Sequence, residues 1–370
     1  MNSPDPRLRF GLLTLIAAVV VGLVVVAFVT IAPLRQYVSG APSRPPPDAG
    51  YVIAAAGDIS CSVDAEVEAE QAEPNDLPTT DEGVPAESRP ASSCAQKGTA
   101  DLIAALRPVS VLPLGDLQYE CGSRSDFAGS YAATWGQFNS VSHPVVGNHE
   151  YGTACGDNDA DAYFEYFGDA ATGGDRGWYS YDIGSWHLIA LNSECSYGTG
   201  AQKVGGCATG TDQERWLRAD LAAHKNSCTL AYYHEPRFSS GQHGNAVQMT
   251  DIWNDLVAAH VDVVLSAHNH VYERFDPLGA APAASGAAPT ADKPNFEQPN
   301  PDPAGIQQFV VGTGGKNHYK FTQPPMMGER IRNDSTFGVL SLTLKSNSYD
   351  WEFLPVRGDN FTDSGSASCR

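Results

Sequence analysis

A chain of 370 residues, 42 % of them hydrophobic, is long enough to bury a full core, either as one large domain or as two ordinary ones. Its formal net charge of −20 argues against a nucleic-acid surface, which needs clustered Lys and Arg that this chain lacks. An acidic protein acting on an anionic substrate must borrow positive charge, and bound metal ions can supply it.

The charge-free run from Phe10 to Leu34 is long enough to cross a hydrocarbon core of about 30 Å. Arg7 and Arg9 precede it, so residues 1–9 are expected in the cytoplasm and everything beyond residue 34 outside. Residues 10–34 read as an uncleaved transmembrane signal anchor; Val38-Ser39-Gly40 before Ala41 leaves open a cleaved signal and a secreted product. Residues 35–50, with Pro45-Pro46-Pro47, read as a Pro-rich linker, and residues 51–370 as one exported domain. All eight cysteines lie beyond the apolar run, where an oxidising compartment favours four disulfides. We expect Cys61 to join Cys94 and Cys195 to join Cys207, each closing a loop, and leave the other four unassigned.

Within the domain, Tyr51 to Ala56 reads as a buried strand, followed by an acidic insertion over residues 62–93 without apolar periodicity. A helix over Thr99 to Arg107, a strand over Val109 to Leu114 and a helix over Ser125 to Phe138 come next, then Pro144-Val145-Val146. Trp178 to Asn192 reads as a hairpin turning at Gly184-Ser185, and Thr211 to His224 as a helix with Thr211 and Glu214 at capping-box spacing. A strand over Thr229 to Tyr233, a helix over Met249 to His260 and a strand over Val261 to Leu265 follow. Residues 277–304, rich in Ala, Pro and Gly, read as a second surface insertion, and strands at Gln307 to Val311, Gly338 to Leu344 and Tyr349 to Leu354 close an α/β domain.

Asp58, Asp116, Asn148, His234, His268 and His270 each fall just past the end of an expected strand, the rim at which open α/β sheets bind ligands. Singly, an Asp after a Gly is turn chemistry more often than a ligand. In the order Gly57-Asp58, Gly115-Asp116-Leu117-Gln118-Tyr119, Gly147-Asn148-His149-Glu150, His234, and His268-Asn269-His270-Val271-Tyr272-Glu273-Arg274, the chain resembles the calcineurin-like metallophosphoesterases, over roughly residues 51–315. It departs from the general pattern of that superfamily at Ser60, where a histidine is usual, and carries Tyr119 three residues after Asp116, the exchange seen in the purple acid phosphatases.

That resemblance implies a sandwich of two mixed sheets flanked by helices and a dinuclear metal centre. Asp58, Tyr119 and His270 would hold a ferric ion, which a hard phenolate favours. Asn148, His234 and His268 would hold a divalent ion (iron, zinc or manganese), with Asp116 bridging. It implies hydrolysis of phosphomonoesters by a metal-bound hydroxide, with an acid optimum; a phosphodiesterase or nucleotidase on the same site is the alternative, and a surface binding module with a vestigial site a more distant one. His149 and His243 match the family's catalytic histidines, as phosphate contact and proton donor, while Glu150, Tyr272, Glu273 and Arg274 read as supports that orient ligands by hydrogen bonds. His143, His187, His224, His260 and His318 match nothing and read as ordinary surface or core residues. The run Gly312-Thr313-Gly314-Gly315 either approaches the substrate or turns the chain.

Overall fold

In the computed structural model the described residues are 50–62, 94–152, 159–171, 176–195, 204–225, 228–282 and 294–370, all within one compact unit, Pro45–Arg370. The apolar run 10–34, nearly all of the linker, the body of the insertion at 63–93 and the middle of the second insertion lie outside them. No helix among the described residues is long and apolar enough to cross a membrane.

The strands form two mixed sheets. β1 (Tyr51–Ala56) pairs in parallel with β2 (Ser110–Pro113) and antiparallel with β10 (Gly338–Leu344), which continues through β11 (Ser348–Pro355) to β12 (Asp363–Ser368). The second sheet has seven strands. Its centre is parallel, with β4 (Trp186–Ala190), β5 (Cys228–Tyr232), β6 (Val263–Ser266) and β8 (Gln307–Val311) in register, and antiparallel edges come from β3 (Tyr179–Ile183), β7 (Tyr272–Phe275) and β9 (Glu329–Asn333).

Alternation along the central strands decides what each face meets. Leu188, Leu230, Tyr232 and Leu265 face the first sheet and pack with Ile53, Leu112, Leu340 and Phe353. Ile189, Ala231 and Val264 point the other way, onto α3 (Asp212–Ala223) through Leu217 and onto α4 (Thr250–Ala258) through Ile252, Trp253 and Leu256. Near the first sheet, α1 (Gln96–Leu106) packs by Ala100 and Ile103; α2 (Asp161–Phe167) adds Tyr163 and Phe167 to the same core.

Several expectations need correction. The single helix expected over residues 125–138 is three short pieces, Arg124–Asp126, a π turn at Phe127–Tyr131 and a 3-10 turn at Trp135–Val141. Gly129 and Gly136 interrupt the segment, each costing a helix about 1 kcal/mol, while Phe127, Tyr131 and Trp135 anchor it by burial. Val145 makes only an isolated bridge to Leu114, so Asn148 follows a loop rather than a strand. Thr211 caps α3 without a capping box: its hydroxyl donates to the Ala208 carbonyl at 2.8 Å, and Glu214 accepts from the Gly210 N–H at 2.9 Å.

Cys61–Cys94 and Cys195–Cys207 are bonded, and Cys228 at the head of β5 is bonded to Cys369 at the end of the chain. Cys121 is disulfide-bonded as well.

Candidate metal centre

The carboxyl ends of the parallel strands of both sheets meet at one rim, and the loops that leave them carry the candidate residues. Asp58 follows β1, Asp116 follows β2, His234 follows β5, and His268 and His270 follow β6. Asp58, Asp116 and His268 sit at positive φ (58°, 49° and 65°), a backbone region that non-glycine residues enter only when their surroundings hold them there. The segment 268–270 is therefore a turn, and the turn itself brings both rings inward. Gly115 has to be glycine, because at its φ of 85° a Cβ would lie 2.5 Å from His234 Nδ1.

The structure brings all seven candidate ligands together, in two groups joined by one carboxylate. In the first, the Tyr119 hydroxyl lies 2.8 Å from Asp58 Oδ1 and 2.9 Å from His270 Nε2. In the second, His234 Nε2 lies 3.2 Å from Asn148 Oδ1 and 3.2 Å from His268 Nδ1. Asp116 Oδ2 touches both, 3.1 Å from the Tyr119 hydroxyl and 3.2 Å from His234 Nε2. The imidazoles are aimed by backbone acceptors: His234 Nδ1 meets the Leu114 carbonyl at 2.8 Å and His270 Nδ1 the Asn317 carbonyl at 2.6 Å, which leaves each Nε2 facing the cluster.

Burial raises the Asp58 carboxyl to about 8 against the pull of His234, and raises the Tyr119 phenol well above its ordinary range. Burial acts the same way on Asp116, but His234 and His149 outweigh it and hold that carboxyl below the usual range. Burial also depresses His268 and brings His270 down to about 3, while Asp116 keeps His234 high. A bound cation would favour the ionised forms of Asp58 and Tyr119, so both suit metal positions. Asp58 Oδ2, fully buried and without a hydrogen-bond partner, fits the same reading. Three oxygen acids, one amide and three imidazoles make a donor set that suits two ions, and Asp116, His234 and His268 offer atoms within 4.8 Å of one another.

Two histidines flank the cluster. The His149 N–H donates to Asp116 Oδ1 at 2.8 Å, and its Nδ1 donates to the Glu120 carbonyl at 2.5 Å, leaving Nε2 3.9 Å from Asp116 Oδ2. His243 is held by its N–H on Asn269 Oδ1 at 2.8 Å, with its ring 4.5 Å from that of His268. Burial lowers the His243 pKa, so its cationic form belongs to acid solution.

Of the four expected supports, the two glutamates brace loops that carry candidate residues and the other two do not reach the cluster. Glu150 accepts the backbone N–H groups of Asp116, Leu117 and Gln118 at 2.9, 2.8 and 3.2 Å and that of Gly147 at 2.8 Å, so it fixes the loop that carries Asp116 and Tyr119. Glu273 accepts from the hydroxyls of Ser239 and Ser240 and from the Ser240 N–H, bracing the loop that leads to His243. Tyr272 and Arg274 turn away altogether and bind Asp363 of the other sheet at 2.7 Å and at 2.6 and 2.9 Å. Gly312 lies beneath Asp58, where a Cβ would come within 2.6 Å of Oδ2; the glycine run is a close packing contact for that loop.

Sequence reasoning missed two neighbours. Tyr319 stacks on His270 with ring centroids 4.0 Å apart and meets His243 edge-on at 5.1 Å. Lys316 stands 4.7 Å from the Tyr119 ring centroid and pairs with Glu120. Their nearness to the glycine run was the one available signal. His318 donates to the His270 carbonyl at 2.8 Å, one step behind the cluster.

Comparison with known proteins points the same way. A family model described as Calcineurin-like phosphoesterase matches residues 95–272. An uncharacterized protein of Mycobacterium tuberculosis is 29 % identical over 197 residues, 49 % of this chain and 37 % of its own length. Purple acid phosphatase 21 of Arabidopsis thaliana is 27 % identical over 170 residues, 44 % of this chain and 32 % of its own. The chain thus spans little more than a third of the curated relatives it matches. Among solved structures, a purple acid phosphatase from yellow lupin (Lupinus luteus) seeds superposes with a TM-score of 0.57 at 19 % identity, covering 87 % of this chain and 54 % of that one. GAP50, the anchor in the inner membrane complex of Plasmodium, superposes with a TM-score of 0.54 at 12 % identity, covering 87 % and 90 %.

Proposed function

Since the chain is a calcineurin-like phosphoesterase of the purple acid phosphatase-like kind, we propose that it is a metal-dependent phosphatase hydrolysing phosphomonoesters in acid solution outside the cell membrane. The observation that carries this reading is the two-lobed cluster with Asp116 in contact with both lobes. Asp58, Tyr119 and His270 would hold a ferric ion, Asn148, His234 and His268 a divalent one, and Asp116 both. When bound, the pair supplies Lewis acidity and an activated water for attack at phosphorus.

The chain's own side chains do the rest. His149, with Nδ1 committed to the Glu120 carbonyl, presents Nε2 as donor to a phosphate oxygen. Water oxygen bonds to phosphorus, the P–O ester bond breaks, and the departing alkoxide takes a proton from a ring nitrogen of His243. Because burial lowers the affinity of His243 for protons, the acid form is populated only as pH falls, which supports an acid optimum. The disulfides support export, with residues 10–34 as signal anchor.

The test is elemental analysis of active protein together with its visible spectrum and its turnover of mono- and diesters across pH. Iron beside a second metal, a violet charge-transfer band and preference for monoesters are expected. Tyr119→Phe should abolish the band. Active protein without iron removes the ferric assignment, and stronger turnover of diesters moves the substrate class. A colourless, inactive, fully metallated chain would leave a binding module.

A further inference from the structure

His187 and His224, unremarkable in the sequence, come together on the far side of the second sheet. His187 is buried on β4, on the face that meets the helices, and Asp182 lies opposite it across the hairpin with β3. Asp220 and His224 are four residues apart at the carboxyl end of α3 and so share one helix face. We propose that His187, Asp220 and His224 form a further metal site that binds one divalent transition ion of the zinc type.

One ligand atom from each of the three lies within 4.8 Å of the other two. Each of the three residues also has a further hydrogen-bond partner. Asp182 Oδ1 accepts the His187 Nδ1–H at 2.8 Å, the Ser180 hydroxyl donates to Asp220 Oδ1 at 2.8 Å, and His224 Nδ1 meets the Asp220 carbonyl at 2.9 Å. A carboxylate behind a ligating imidazole is the arrangement that fixes its tautomer and raises its basicity. What remains pointed inward is His187 Nε2 and Asp220 Oδ2, 2.8 Å apart.

Two imidazoles and one carboxylate are a donor set that suits zinc. Both rings pair with the same carboxylate, His187 Nε2 at 2.8 Å from Asp220 Oδ2 and His224 Nδ1 at 3.2 Å from Asp220 Oδ1. The two rings stack at 4.2 Å and 15°. His224, just past the end of α3 with its side chain 40 % exposed, is the candidate ligand most open to water. Binding would pin α3 to the β3–β4 hairpin, which forms the edge of the sheet.

The site is tested on the untagged full chain, saturated with zinc, dialysed near neutral pH and assayed for retained metal and melting temperature. Wild type is expected to retain one zinc per chain more than His224→Ala and to gain more in melting temperature from added zinc, with equal turnover of phosphomonoesters. Asp220→Asn should lose the same equivalent. Equal zinc content in wild type and His224→Ala, both folded by circular dichroism, overturns the proposal, whatever metal the catalytic rim holds.

Discussion

At the rim, carboxylates, a phenol and imidazoles arrive on five separate loops; beneath the edge hairpin, similar groups come from two regular elements. The rim loops hold three ligand residues in left-handed backbone, at a cost of order 1–3 kcal/mol each, and leave Asp58 Oδ2 buried without a partner. In the hairpin cluster every carboxylate oxygen that faces an imidazole is already hydrogen-bonded, and His224 is open to water. A site that is incomplete without ions is built for them and should hold them tightly. One that is complete without an ion makes the ion compete with protons, and should bind more weakly and more pH-dependently.

The largest expected effect breaks the rim alone. His234→Ala removes the imidazole in contact with both Asn148 and Asp116, and turnover should fall by about 100-fold or more while the domain still folds. The corresponding change in the hairpin cluster, His224→Ala, should leave turnover intact. Steady-state rates of the two variants side by side check the contrast; similar rates would mean that the two clusters do not differ in function.

A second variant asks whether the strained rim depends on what braces it. Glu150→Gln turns an amide against N–H groups that the carboxylate accepts, most directly those of Asp116 and Gly147. Leaving buried donors unmatched costs about 1–3 kcal/mol, and loss of an outer partner lowers metal affinity or activity by about 10–100-fold. Urea denaturation and metal titration measure both. Full activity in Glu150→Gln would mean that the loop carrying Asp116 and Tyr119 holds itself.

The two regions also differed in legibility. The rim candidates sit in short contiguous blocks, such as Gly115-Asp116 with Tyr119, and most of their loops leave a strand end; residue type and order picked out the group that the fold gathers. The hairpin cluster has no such block. His187 and Asp220 meet only because β4 lies under α3, which no local pattern encodes. The supports were misread for a related reason: Tyr272 and Arg274 follow the ligand block in sequence, yet they stand on β7 and reach across to Asp363 in the other sheet. β9 and β12 went unseen because edge strands such as Glu329–Asn333 and Asp363–Ser368 carry charged and small polar residues that blunt an exposed edge, not the apolar alternation that marks a central strand.

The smallest effect concerns protons at the hairpin. Burial works against the charged form of His187, but the hydrogen bonds to Asp220 and Asp182 outweigh it and raise its pKa above the ordinary value. The groups around it are Asp182 and Ser180 on β3, Asp220 on α3 and His224 just past the end of that helix. A histidine whose folded pKa is raised adds stability that is fully present below its unfolded pKa of about 6.5 and is lost as pH rises through the folded value. With chelator present, the stability advantage of wild type over His187→Gln should therefore be greatest in mildly acid solution and fade toward alkaline pH. Zinc reverses the sign, because the ion needs the imidazole deprotonated: its stabilisation of wild type should grow as pH rises over the same interval. Thermal denaturation of both chains at several pH values, with chelator and with zinc, separates the two slopes. Parallel slopes in the two conditions would show that His187 serves the hydrogen-bond network and no ion.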